Sequence, residues 1–132
     1  MAKAANPIPA GFHTLTPHIS VNGAAKYIDF LKQAFGATEI SRAPGPGGKL
    51  MHATMRIGNA TLEISEAHGE FQPKPCHLHI YVPDTDAAYA RALSAGATSI
   101  EIPQDKPYGD RSAGVKDSFG NSWFIATYIG TK

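Results

Sequence analysis

Phe35-Gly36-Ala37-Thr38-Glu39-Ile40 returns about sixty residues later as Ala95-Gly96-Ala97-Thr98-Ser99-Ile100, and Gly58-Asn59-Ala60-Thr61-Leu62 returns as Gly120-Asn121-Ser122-Trp123-Phe124. Two copies at so long a period are too few for a solenoid and read instead as one supersecondary unit used twice. The residues before each echo carry a helical pattern. From Gly23 to Phe35, Tyr27, Ile28, Leu31, Ala34 and Phe35 fall at helical spacing, with Lys26, Asp29, Lys32 and Gln33 opposite and Gly36 where a C-terminal cap belongs. In the second copy Asp84 or Thr85 can cap a helix over Ala87–Leu93 that ends before Gly96.

A strand precedes each helix. From His13 to Val21, Leu15, Pro17, Ile19 and Val21 share one face, and Thr16, His18 and Ser20 the other. From His77 to Val82, Leu78, Ile80 and Val82 alternate with His77, His79 and Tyr81. The PGPGG run, Pro44–Gly48, is a turn or loop, and Lys49–Ile57 with Ala60–Ser65 around Gly58-Asn59 is a β-hairpin. Strands near 97–103, 112–117 and 121–129 complete the second copy. The expected fold is α+β, two tandem βαβββ modules. A Pro- and Gly-bearing arm covers residues 1–11 and a single domain residues 12–132, with module one at about 12–66, a linker at 67–75 and module two at about 76–130.

Composition bounds the function. At 132 residues and 42% hydrophobic, the chain has material for one domain with a real core. A net charge of +1 gives no field to draw it to nucleic acid or an anionic membrane. One cysteine, Cys76, excludes an intrachain disulfide, CxxC redox chemistry and a cysteine-based zinc finger, and fits a reducing cytoplasm. No apolar run approaches the ~18 residues of a membrane helix, the start lacks the apolar core of a signal peptide, and no nucleotide-binding glycine motif occurs.

Strand parity shows where chemistry can sit. Ile19, Val21, Leu62, Ile64, Leu78, Ile80 and also Leu15 should pack on the helices. The other faces carry Thr16, His18, Ser20, Thr61, Glu63, Ser65, His77, His79 and Tyr81, which can hold metals or protons; such faces are either solvated or line a cavity. His52 can orient a ligand or pair with backbone. Arg111 can clamp an anionic ligand or pair with an Asp to stiffen its loop. Tyr81, Trp123, Phe124 and Tyr128 can wall an apolar pocket or lie in the core. Cys76 abuts His77 but has no third partner that would make it a nucleophile.

Three stretches, LTPHISVNGAAKYIDFLKQAFGA (Leu15–Ala37), LMHATMRIG (Leu50–Gly58) and GDRSAGVKDSFGNSW (Gly109–Trp123), resemble the PhnB-like branch of the vicinal-oxygen-chelate superfamily. That superfamily includes glyoxalase I, bleomycin resistance proteins and extradiol dioxygenases. The resemblance implies curved mixed sheets around a cavity, in a homodimer. It does not fix a reaction, because the fold hosts unrelated chemistries. In glyoxalase-type members one divalent metal takes ligands from the first and last strands of each module. Carried onto this chain, the positions fall on Thr16, with His18 two residues along the same face, on Glu63, on His77, and on Phe124 or, by the internal repeat, Ile125. His18, Glu63 and His77 would make a two-His-one-carboxylate set for Zn, Ni, Mn or Fe, with Glu63 or a metal-bound water moving protons. Two expectations follow. The first is a protein that binds a small molecule in a cavity lined by His52, His79, Tyr81, Arg111, Phe124 and Tyr128, with no complete metal shell. The second is a metal-dependent lyase, isomerase or dioxygenase using His18, Glu63 and His77.

Overall fold

Carboxylates fix where both helices begin. Glu66, at the end of a strand, accepts the backbone N–H groups of Gly23 and Ala24, at 2.9 Å for Ala24, and so caps α1 (Ala24–Phe35) from outside its own sequence. Asp84 caps α2 (Thr85–Ser94) locally, its Oδ1 accepting from Ala87 N–H at 3.1 Å. Gly36, at φ 66°, ends the first helix, its N–H on the Lys32 carbonyl.

The structure is a computed structural model and describes residues 4–130. The strands are β1 (His18–Val21), β2 (Thr38–Pro44), β3 (Leu50–Ile57), β4 (Ala60–Glu66), β5 (His77–Tyr81), β6 (Thr98–Asp105), β7 (Asp110–Lys116) and β8 (Ser122–Tyr128), with α1 after β1 and α2 after β5. They form two four-stranded sheets ordered β1-β4-β3-β2 and β5-β8-β7-β6. In each sheet the first strand pairs parallel with the last, and the other pairs are antiparallel. The α+β fold of two tandem βαβββ modules is the one expected.

The first strand is shorter than its alternation suggested. Pro17 has no N–H to give to a ladder, so β1 starts at His18, although the Pro17 carbonyl still accepts Glu63 N–H at 2.9 Å. Leu15, expected on the helix side, is 84% exposed. It lies ahead of the paired strand, so its parity has no sheet to refer to.

The chain divides into two compact units, one of residues up to Ile28 with Ala37–Pro73, the other of Asp29–Gly36 with the chain from Lys74 on. The two halves of α1 therefore belong to different units. In the first unit Ile19, Val21, Ala53, Met55, Leu62 and Ile64 are buried with Tyr27 and Ile28. In the second, Ala113, Val115, Trp123 and Ile125 are buried with Leu31, Ala88 and Ala92, and the Phe35 ring lies 4.6 Å from Trp123. Each large side chain so buried contributes about 1.5–3 kcal/mol.

The turn before β8 is built on Asp117, which is 3% exposed. Its Oδ1 accepts from Phe119 N–H at 2.9 Å and Asn121 N–H at 3.0 Å, and its Oδ2 from Trp123 Nε1 at 2.9 Å. Gly120 takes φ 94°, which a side chain would strain. This network fixes the register of β8: His79 pairs with Phe124, and Ile125 is fully buried on the helix side. Of the two residues left open by sequence, Phe124 is the one on the helix-free face.

Candidate functional site

Alternation along the paired strands places His18, His52, Glu63 and Ser65 on the helix-free face of the first sheet, opposite Ala53, Leu62 and Ile64. His18 is the cross-strand neighbour of Glu63, and His52 of Ser65. His18 Nε2 and Ser65 Oγ share a hydrogen bond of 2.6 Å, His52 Nε2 lies 3.2 Å from Glu63 Oε1, and the two imidazoles meet edge to face at 6.0 Å. The His52 and Glu63 side chains are each 33% exposed, so the pair is reachable from solvent. Such a group can accept or donate protons and orient a polar ligand.

Further along this face, Gly11 lends its carbonyl to Thr61 Oγ1 at 2.6 Å and to Arg56 at 3.2 Å. Arg56 Nε is the one buried side-chain polar atom without a partner among the described residues.

The second sheet uses its helix-free face differently. His77, His79 and Tyr81 are exposed on β5, and Phe124 and Tyr128 lie on the same face of β8. His77 meets Phe124 edge to face at 5.9 Å, and His79 lies 4.8 Å from Tyr81. Gly114 lies under this surface, where a Cβ would come into ordinary contact with the Ile100 Cβ at 3.4 Å and the Phe124 ring at 3.6 Å. The Tyr81 hydroxyl donates to Asp110 Oδ2 at 3.0 Å. That bond, then desolvation, then the charge of Asp110 raise the Tyr81 phenol above its ordinary range.

The structure thus gathers His18, His52 and Glu63 in the first unit, and His77, His79, Tyr81, Phe124 and Tyr128 in the second. Arg111 is not among them. It lies on the other face of β7, bonded to Asp86 Oδ1 at 2.6 Å, Asp86 Oδ2 at 2.9 Å and Asp105 at 3.0 Å, and these partners raise its pKa further. Trp123 is core. Cys76 Sγ points at Asn121 Oδ1, 3.3 Å away, and burial, with the Asp117 charge, pushes its thiol up, away from the thiolate a nucleophile needs. Sequence reading underrated Ser65, Arg56, Tyr108 and Asp110. For Asp110 a signal existed: adjacent strand residues face opposite ways, so Asp110 and Arg111 cannot both serve one site.

The metal set fits poorly. Phe124, which cannot ligate, stands across from His79, and His18 is engaged by Ser65. Among the described residues no group of three or more His, Cys, Asp or Glu side chains is arranged to hold a metal ion.

Comparison with known proteins agrees with this architecture. The family description Glyoxalase/Bleomycin resistance protein/Dioxygenase superfamily matches residues 11–125. Uncharacterized proteins of Mycobacterium bovis and Mycobacterium tuberculosis are 39% identical over 122 residues, spanning 84% of this chain and 80% and 72% of theirs. TioX from Micromonospora sp. ML1 superposes with a TM-score of 0.74 at 21% identity, covering 91% of this chain and 99% of its own. A PhnB protein from Bacillus cereus gives 0.66 at 13%, covering 87% and 99%. With the family description spanning most of the chain and both modules in their expected order, the chain belongs to the glyoxalase/bleomycin resistance protein/dioxygenase superfamily.

Proposed function

We propose that this protein binds a small, partly aromatic molecule against the helix-free face of its second sheet and needs no resident metal to do so. The observation that carries the reading is the cluster of rings on the second sheet. Tyr81, Phe124 and Tyr128 occupy the face that the helix leaves open, and Tyr81 and Tyr128 are 64% and 66% exposed. Rings there gain nothing from the core, whereas they offer a flat, apolar contact to a planar ligand. We expect a homodimer, as the family resemblance implies, working in the cytoplasm.

The test is a neutral aromatic fragment set titrated into isotope-labelled protein. The expected ligands shift amides of β5 and β8 and lose at least about five-fold in affinity with Phe124→Ala, the order expected when one packed ring is lost. Fragments that perturb neither strand would overturn the reading. Metal content of untagged protein, purified without chelator, tests the alternative. Near-stoichiometric metal lost from both Glu63→Ala and His77→Ala would restore the metal-dependent enzyme.

A further inference from the structure

Asp110 opens β7 and is only 4% exposed. Carboxylates that deep are normally paired with a cation, because an uncompensated charge is costly to bury. Asp110 takes part in no ion pair among the described residues, and its side chain accepts one hydrogen bond, from Tyr81 onto Oδ2. The cations closest in sequence are engaged elsewhere. Arg111 is held by Asp86 and Asp105 on the opposite face, and the Lys106 ammonium bonds Glu101. Oδ1 has no partner among the described residues, yet it is not sealed from solvent, since Arg56 Nε is the one buried side-chain polar atom without a partner among them. An anionic oxygen is thus left open on the helix-free face.

Three exposed tyrosines lie at this end of the sheet. Tyr128 is the cross-strand partner of Asp110, Tyr81 bonds it, and Tyr108 lies in the turn that Gly109 N–H closes onto the Lys106 carbonyl. Tyr108 is 61% exposed, and both it and Tyr128 lie close enough to act electrostatically on the Tyr81 hydroxyl. A phenol ring attracts a cation over its face, and a desolvated carboxylate supplies the counter-charge. A purely apolar partner would gain nothing from Asp110, and an anion would be repelled.

We propose that Tyr81, Tyr108, Tyr128 and Asp110 form a subsite for an organic cation, the ammonium or methylated-amine end of a ligand held on the open face of the second sheet. This rests on the ligand-binding reading above and assigns the charge of the ligand at one end of that face.

Choline and its uncharged carbon analogue, 3,3-dimethylbutan-1-ol, differ in charge at nearly constant shape. Both are titrated into the full-length protein while amide shifts are followed. Choline should bind at least about ten-fold tighter than the alcohol, with shifts at β5, β7 and β8, a preference of the size one charge-assisted contact provides. Asp110→Asn should bring the two probes to near equality, and Tyr128→Ala should weaken choline. An amide spectrum of Asp110→Asn that keeps the wild-type dispersion outside β5, β7 and β8, with an unchanged unfolding midpoint, guards against misreading a folding defect. Equal binding of the two probes to the wild type, or a preference that survives Asp110→Asn, would overturn the cation subsite. Failure of both probes would overturn it too. In each case the neutral-fragment titration decides the wider ligand-binding reading separately.

Discussion

The two modules share a topology and differ in what they place on it. At matching stations of the parallel pair, the first sheet sets His18 against Glu63 and the second sets His79 against Phe124. One face is hydrogen-bonded and reachable, the other ringed with aromatic side chains. The helix-covered faces hardly differ, with Leu62 and Ile64 in one sheet and Trp123 and Ile125 in the other, all buried. Folding constrains one face of each sheet, because only that face must leave water, and the other is free to carry chemistry.

The largest expected effect tests that division within one strand. Ile125→Ala removes a fully buried side chain and should cost about 2–5 kcal/mol in denaturant unfolding. Phe124→Ser, one residue along on the open face, should cost well under half as much. Equal losses would mean that the Phe124 face is also core, and the contrast between the sheets would fail.

The two modules also turn into their last strands differently. Asp117→Ala leaves the Trp123 indole and two backbone N–H groups without their acceptor and should destabilise by about 2–4 kcal/mol. Asn59→Ala, in the exposed two-residue turn of the first module, should change stability by no more than about 0.5 kcal/mol. The helix caps should be closer to parity. Glu66→Ala, which strips two N–H groups of an acceptor, should cost about 1–2 kcal/mol, and Asp84→Ala about 1 kcal/mol.

What was legible in the sequence follows the same division. Helices, hairpins and the repeated module were readable because burial imposes a period on residues such as Tyr27, Leu31, Ile19 and Val21. The start of β1 was not, since alternation through Leu15 and Pro17 looks like a strand while a proline denies it hydrogen bonds. Nor was the capping of α1, because Glu66 reaches it from across the chain. On the open faces parity brought His18, Glu63 and His79 to the correct side. It did not reveal which partners they keep, because those depend on neighbours from other strands. Parity already gave the face of Asp110, but its bond to Tyr81, like that of Ser65 to His18, is made by side chains that are not register partners.

The smallest expected effect sharpens the contrast at the tyrosine end of the second sheet. Hydrogen bonding to Asp110 holds the Tyr81 phenol above the usual ~10 of tyrosine. A raised folded-state value means that the folded protein keeps this proton more tightly than the unfolded chain does. The corresponding stability is present in full below the unfolded phenol pKa and is lost as pH rises through the folded one. Alkaline titration of phenolate absorbance should show one tyrosine ionising late. Tyr81→Phe should delete that phase, and Asp110→Asn should move it back toward the ordinary range. Because Tyr81 is largely exposed, the gap in unfolding midpoint between wild type and Tyr81→Phe should be small near neutral pH and should close as the solution becomes strongly alkaline. A gap that widened with pH would reverse the sign of the shift and would mean that Asp110 does not accept the Tyr81 proton. The second face would then lose the polar anchor that distinguishes it from a bare aromatic surface.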